Sequence, residues 1–128
     1  MTRILFVNDN ARTRTSWADY AGMVAKADIE TAATPETTMR LLNNERYDCV
    51  IVDGNLRTDV RTAAAAMELV RSIRKENRDI PLYVVGGDPQ GAFDASLRQR
   101  AEAAGATGYI PHRDFLRALP PILRRYDA

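Results

Sequence analysis

Two aspartates that follow short apolar runs indicate an acidic site. Asp53 comes directly after the apolar run 49–52, and Asp9 comes after the run 4–7, behind Asn8. A short apolar run that ends in turn residues is typical of a strand buried in a parallel sheet. Ligands bind in the crevice at the carboxyl edge of such sheets. We therefore predict that the two carboxylates share one pocket at that edge.

The composition describes an ordinary globular chain and excludes several classes of function. The 128 residues predict one domain, 1–128, with 45% hydrophobic and 27% charged residues. A net charge of +1 gives no reason to expect binding to nucleic acid or to an anionic membrane. The single cysteine excludes an internal disulfide, and no apolar run reaches membrane-spanning length. The expected compartment is the cytoplasm.

Five apolar runs alternate with five longer amphipathic stretches, which is the pattern of a parallel sheet covered by helices on both faces. Strands are predicted at about 3–7, 28–34, 47–53, 81–85 and 109–110. Helices are predicted at about 12–26, 35–44, 63–77 and 93–104, and from about 114 onward. Right-handed crossovers leave few topologies for this alternation. The best fit is a flavodoxin-like, doubly wound α/β fold with strand order 2-1-3-4-5 and five helices.

Local signals mark several of the helix ends. Thr34 and Pro35 have the types preferred at the N-cap and at the first helical position. Gly105 is a typical residue just beyond a helix C-terminus. Pro120 falls inside the last predicted helix, so that helix is expected to be kinked or broken into two pieces.

With these elements in place, the chain resembles the receiver domain of two-component response regulators over essentially its whole length. The run 4–9 is similar to the first strand and acidic pair of the family, and 47–56 is similar to the segment around its phosphorylated aspartate. The separation of Asp9 from Asp53 agrees with the family. The segment 80–85 resembles the fourth strand, and 104–110 resembles the approach to the fifth.

The resemblance implies a role for each matched residue. Asp53 is the phosphoacceptor, and Mg²⁺ is held by Asp9, Asp53 and the backbone carbonyl of Asn55. Such chemistry needs an ionised nucleophile and a hard cation with oxygen ligands. The implied partner is a sensor histidine kinase or another signalling protein. The face formed by the fourth helix, fifth strand and fifth helix is the one that the family uses for partners and homodimers.

Several positions depart from the family, so the resemblance is to an atypical receiver. Asn8 replaces the first acid, which lowers the charge available to Mg²⁺. Gly86 replaces the family's hydroxyl residue, which bonds the phosphoryl group and moves with it. Tyr109 occupies the position of the aromatic that responds to this movement, so it has no hydroxyl to respond to. His112 replaces a lysine and is a cation only when protonated. An insertion of about five residues is expected around 58–62.

Two questions stay open, namely which residue supplies positive charge to the site and whether the matched residues have only structural roles. Arg57 or Arg113, in place of two prolines of the family, could supply the missing positive charge. Each matched residue also has a plainer interpretation. Asp53 could cap a turn, Asp9 could cap the first helix, Asn8 could be a turn residue, His112 could be a loop histidine, and Tyr109 could be a buried ring whose hydroxyl has found a partner.

Three functions follow from these observations, in order of preference. The first is an atypical receiver in two-component or phosphorelay signalling, with Asp53 at the acceptor position, weakened Mg²⁺ binding and an impaired switch. The second is a pseudo-receiver that is never phosphorylated and acts by docking a protein or by dimerising. The third is a phosphohydrolase using Asp9 and Asp53. It is disfavoured because no acid/base lysine lies in reach, so the chain is expected not to be an enzyme.

Overall fold

In the computed structural model, which describes residues 2–58 and 63–126, the chain forms a five-stranded parallel sheet. The strands are β1 (Thr2–Val7), β2 (Ala27–Ala32), β3 (Cys49–Asp53), β4 (Leu82–Val85) and β5 (Gly108–Ile110). Their order is β2-β1-β3-β4-β5, and every neighbouring pair is parallel. The predicted doubly wound fold with order 2-1-3-4-5 is confirmed.

Five α-helices connect and follow the strands. They are α1 (Ala11–Val24), α2 (Pro35–Asn44), α3 (Ala64–Glu76), α4 (Asp94–Ala104) and α5 (Phe115–Arg125). Two short 3₁₀ helices, Leu56–Thr58 and His112–Asp114, precede α3 and α5. The insertion predicted around 58–62 falls, at residues 59–62, outside the described residues. Within the described ranges, no helix is long and apolar enough to cross a membrane.

The two faces of the sheet bury separate cores, because successive side chains of a strand point to opposite faces. Ile4 and Phe6 of β1 pack with residues of α1 and α5. Leu5 and Val7 of the same strand pack with residues of α2, α3 and α4. The central strands β1, β3 and β4 therefore carry continuous hydrophobic runs, 4–7, 49–52 and 82–85, as expected for a parallel sheet covered on both sides.

The predicted signals at two helix ends are confirmed. Thr34 is the N-cap of α2, where its hydroxyl accepts a hydrogen bond from the Thr37 amide at 3.1 Å, and Pro35 is the first helical residue. Gly105 follows α4 with a φ of 114°, a left-handed conformation that favours glycine.

Of the kink or break predicted at Pro120, the break is wrong, because α5 runs through this residue as one helix. A proline has no N–H, so the carbonyl of Leu116, four residues earlier, loses its usual donor. The hydroxyl of Tyr20 on α1 donates to that carbonyl at 2.6 Å. A side chain from the neighbouring helix thus replaces the hydrogen bond that Pro120 cannot make.

Tyr20→Phe is expected to lower the free energy of unfolding by about 0.5–1 kcal/mol, since the Leu116 carbonyl loses its donor. In a Pro120→Ala background the cost should be smaller, because an N–H at residue 120 restores the helical hydrogen bond. Urea unfolding of the four chains of this cycle measures the difference. Equal costs in the two backgrounds would show that Tyr20 does not compensate for the proline.

Candidate functional site at the carboxyl edge of the sheet

The pairing of β1 with β3 places the two acidic segments side by side. Val7 pairs with Val52, so Asn8 and Asp53 are the next residues along these two neighbouring strands. Parallel strands lie about 4.8 Å apart. Asn8 is fully buried and Asp53 is 9% exposed. The structure therefore brings together the two segments that the sequence predicts at one pocket.

The Asp53 carboxylate is buried, and its hydrogen bonding offsets only part of the cost of burying the charge. Burial raises its pKa to about 6, and one hydrogen bond opposes this, from the Asn55 amide to Oδ1 at 3.1 Å. The negative charge of Asp9 raises the pKa further, while His112 lowers it. Asp9 and His112 are thus close enough to Asp53 to act on its charge. The hydrogen bond from the Asn55 amide also makes Asp53 a turn-capping residue, which agrees with its plainer interpretation.

Asp9 does not cap the first helix. Asn10 does so, since its side-chain oxygen accepts from the Thr13 amide at 3.0 Å. Asp9 is exposed, and its Oδ2 accepts a hydrogen bond from the backbone N–H of Arg57 at 2.7 Å. Arg57 has a left-handed backbone, with a φ of 58°. The contact ties the loop after β1 to the loop after β3 across the pocket.

Asn8 contributes a buried amide whose orientation is set by the backbone. Its Oδ1 accepts from the Asn10 amide at 2.8 Å, as a turn residue would, so Nδ2 is the group left over. Among the described residues, neither Nδ2 of Asn8 nor Oδ1 of Asn55 has a hydrogen-bond partner. Buried polar atoms without partners are uncommon and call for water or a ligand. The site therefore holds one donor and one acceptor in addition to its carboxylates.

The two arginines considered as sources of positive charge make ion pairs with other residues. The Arg57 guanidinium lies 3.2 Å from Glu36, and that of Arg113 lies 3.2 Å from Asp94. His112 is exposed in the 3₁₀ helix after β5, and its effect on the Asp53 pKa places it by the pocket. Of the three residues, His112 is therefore the one that acts on the Asp53 carboxylate.

Gly86, at the end of β4, leaves space that Tyr109 fills. A Cβ built at residue 86 would collide with the Tyr109 hydroxyl and lie 3.1 Å from Asp94 Oδ1. Tyr109 is 5% exposed, and its hydroxyl donates to Asp94 at 2.6 Å. This agrees with the plainer interpretation of Tyr109. The sequence did not single out Asp94, because an acid in the first turn of a helix is common and nothing in its spacing marks it as a partner of Tyr109.

The donor set fits a hard cation. Two carboxylates, Asp9 and Asp53, interact here, and Mg²⁺ prefers oxygen ligands of this kind with several retained waters. Within the described ranges, no group of three or more histidine, cysteine, aspartate or glutamate side chains could hold a metal. Any Mg²⁺ here would therefore be held by these two acids and not by a larger acidic group.

No protein-family model and no curated protein matches this sequence. Solved structures do match its fold. The receiver domain of the Francisella response regulator 1452 superposes with a TM-score of 0.81 at 13% identity, covering 98% of this chain and 96% of that one. The chemotaxis response regulator CheY4 of Vibrio cholerae gives 0.73 at 22% identity, covering 99% of both chains. A putative pilus assembly protein of Burkholderia thailandensis gives 0.75 at 19%, covering 98% of both. The fold is that of response regulator receiver domains.

Asp53→Asn is expected to stabilise the protein at neutral pH. The pKa of Asp53 is raised in the folded state, so ionisation weakens folding as the pH rises from about 4 to 6, and the penalty is complete above about 6. The variant lacks this penalty. It should therefore gain up to about 3 kcal/mol at pH 7 and nothing below about pH 4.

Urea unfolding at several pH values checks this expectation, with Asp19→Asn as the control for loss of an exposed carboxylate on α1. A difference between Asp53→Asn and the unmodified chain that does not change with pH would contradict the raised pKa.

Proposed function

We propose that this chain is an atypical receiver module in two-component or phosphorelay signalling, with Asp53 as the phosphoacceptor. The observation that supports this most directly is the buried carboxylate of Asp53 at the carboxyl end of β3, where the negative charge of Asp9 acts on it. A sensor histidine kinase or another signalling protein would supply the phosphoryl group. The proposed compartment is the cytoplasm.

The transfer uses the charge state that the pocket provides. With a pKa of about 6, Asp53 is mostly ionised at neutral pH and can attack phosphorus. One carboxylate oxygen forms the new P–O bond while the bond from phosphorus to the leaving group of the donor breaks. Nδ2 of Asn8, a buried donor beside Asp53, is suited to hydrogen-bond an oxygen of the phosphoryl group.

Asp9, Asp53 and the carbonyl of Asn55 would hold Mg²⁺. When bound, the ion neutralises charge on the phosphoryl oxygens. Asn8 contributes no negative charge, so affinity for the ion should be lower than with an acid at this position. The proposed role is that of a substrate for a kinase and not of an enzyme with its own turnover, since Arg57 and Arg113 pair with Glu36 and Asp94 and lysine is absent from the matched position.

A second candidate is a pseudo-receiver that works without phosphorylation, by docking a protein or by dimerising through α4, β5 and α5. Two observations favour it. Gly86 supplies no hydroxyl between the pocket and Tyr109. In addition, one structure with this fold is described as a putative pilus assembly protein and not as a response regulator.

Incubation with Mg²⁺ and acetyl phosphate, a small phosphoryl donor, is expected to add one phosphoryl group, detected by intact-protein mass spectrometry. Asp53→Asn should abolish the gain, because its amide is not a nucleophile. Labelling that persists in this variant would place the acceptor elsewhere. The absence of any gain in the unmodified chain would favour the pseudo-receiver.

Asn8→Asp is expected to raise Mg²⁺ affinity about tenfold by adding a negative charge at the ion. Isothermal titration calorimetry with MgCl₂ measures the change. Asn10→Asp is a matched control, since Asn10 is exposed and caps α1. Equal gains in the two variants would mean that general charge, and not a site beside Asp53, attracts the ion.

A further inference from the structure

Asp94, at the start of α4, joins Tyr109 of β5 to the loop that follows it. One carboxylate oxygen accepts from the Tyr109 hydroxyl at 2.6 Å, and the other accepts from Arg113 at 3.2 Å. Arg98, one turn further along α4, lies 5.3 Å over the Tyr109 ring and donates to the Tyr109 carbonyl at 3.4 Å. We call Tyr109, Asp94, Arg98 and Arg113 the Asp94 cluster.

Two glycines leave the room that the Asp94 cluster occupies. A Cβ at Gly86 would collide with the Tyr109 hydroxyl. At Gly91, which has a φ of 71°, a Cβ would collide with the Arg113 guanidinium and lie 2.5 Å from Asp94 Oδ2. The two glycines thus lie against the two hydrogen bonds of Asp94, Gly86 against the one from Tyr109 and Gly91 against the one from Arg113. The glycines and the polar cluster therefore form one arrangement, in which the ring takes the space beside the end of β4.

The hydrogen bond at the centre of this arrangement is of a strong kind. A phenol that donates to an ionised carboxylate makes a charge-assisted bond, roughly twice as strong as a neutral one. Burial and the Asp94 carboxylate raise the pKa of Tyr109, so its hydroxyl keeps the proton that it donates. Arg98 and Arg113 supply positive charge on either side of the pair.

We propose that the Asp94 cluster holds the Tyr109 ring in one inward position whether or not Asp53 is modified. The surface formed by α4 and β5 then keeps the same shape in both states. Gly86 offers no side chain to carry a change from the pocket to the ring. This inference goes beyond the proposed phosphorylation and does not depend on it, because the hydrogen bond of the Tyr109 hydroxyl and the cation–π contact of its ring are with Asp94 and Arg98 of α4. Proteins that recognise this surface would bind it equally with Asp53 modified or unmodified.

The first test follows Tyr109 by NMR in protein labelled with ¹³C on the tyrosine rings, its signal assigned with Tyr109→Phe. Asp94→Ala should shift or broaden that signal, because the ring loses its anchor. Glu102→Ala, which removes an exposed acid from the same helix, and Asp53→Asn should leave it unchanged. A signal unmoved by Asp94→Ala, or one moved by Asp53→Asn, would overturn the proposal.

The second test measures the space shared by Gly86 and Tyr109. Gly86→Ala should lower the folding equilibrium constant at least about tenfold. In a Tyr109→Phe background the cost should be less than about threefold, because the colliding hydroxyl is gone and the nearest remaining atoms, Asp94 Oδ1 and the tip of the ring, lie 3.1 and 3.2 Å away. Gly22→Ala is the control, since a Cβ there meets nothing within 4 Å. It should stabilise α1, because Gly22 lies at an exposed position of this helix. Equal costs of Gly86→Ala in both backgrounds would refute the shared space.

Discussion

The parallel register of β1 on β3 is the constraint on which the site depends. With Val7 opposite Val52, the residues that come next after each of them, Asn8 and Asp53, become neighbours at the carboxyl edge. The same register fixes which side chains face α1 and α5 and which face α2, α3 and α4, because strand side chains alternate. A one-residue slip would exchange the two cores and separate the acids. The register that buries the apolar side chains of the sheet on both faces therefore also builds the pocket.

The carboxyl edge of the sheet has two parts, the pocket around Asp53 and the Asp94 cluster. On one side, Asp53 is buried, close to Asp9, and has a raised pKa. On the other side, Tyr109 is bound to Asp94 in the space beside Gly86. Gly86 has no side chain that could touch both parts, and a Cβ there would collide with the Tyr109 hydroxyl. The glycine thus leaves room for the ring beside a pocket that contains two carboxylates.

Much of the fold could be predicted from the sequence, because the alternation of apolar runs and helical stretches is a local signal, and so are caps such as Thr34. The continuity of α5 could not, since it depends on Tyr20, which is 96 residues from Leu116 in the chain. The same limit applies to the site. Asp9, Asp53 and Asn8 follow strands and are placed by topology, whereas the ion pairs of Arg57 and Arg113 follow from side-chain packing between distant segments.

Amide NMR spectra recorded during addition of Mg²⁺ and then beryllofluoride, a mimic of the aspartyl-phosphoryl group, test most directly whether the pocket works and stays separate from the surface. The signals of Asn8, Asp9 and Gly54 should shift, those of Tyr109 and Asp94 should stay, and Asp53→Asn should abolish every shift that beryllofluoride produces. The absence of a response at saturating ligand would contradict the acceptor role of Asp53. Shifts that extend to Tyr109 and α4 would contradict the separation.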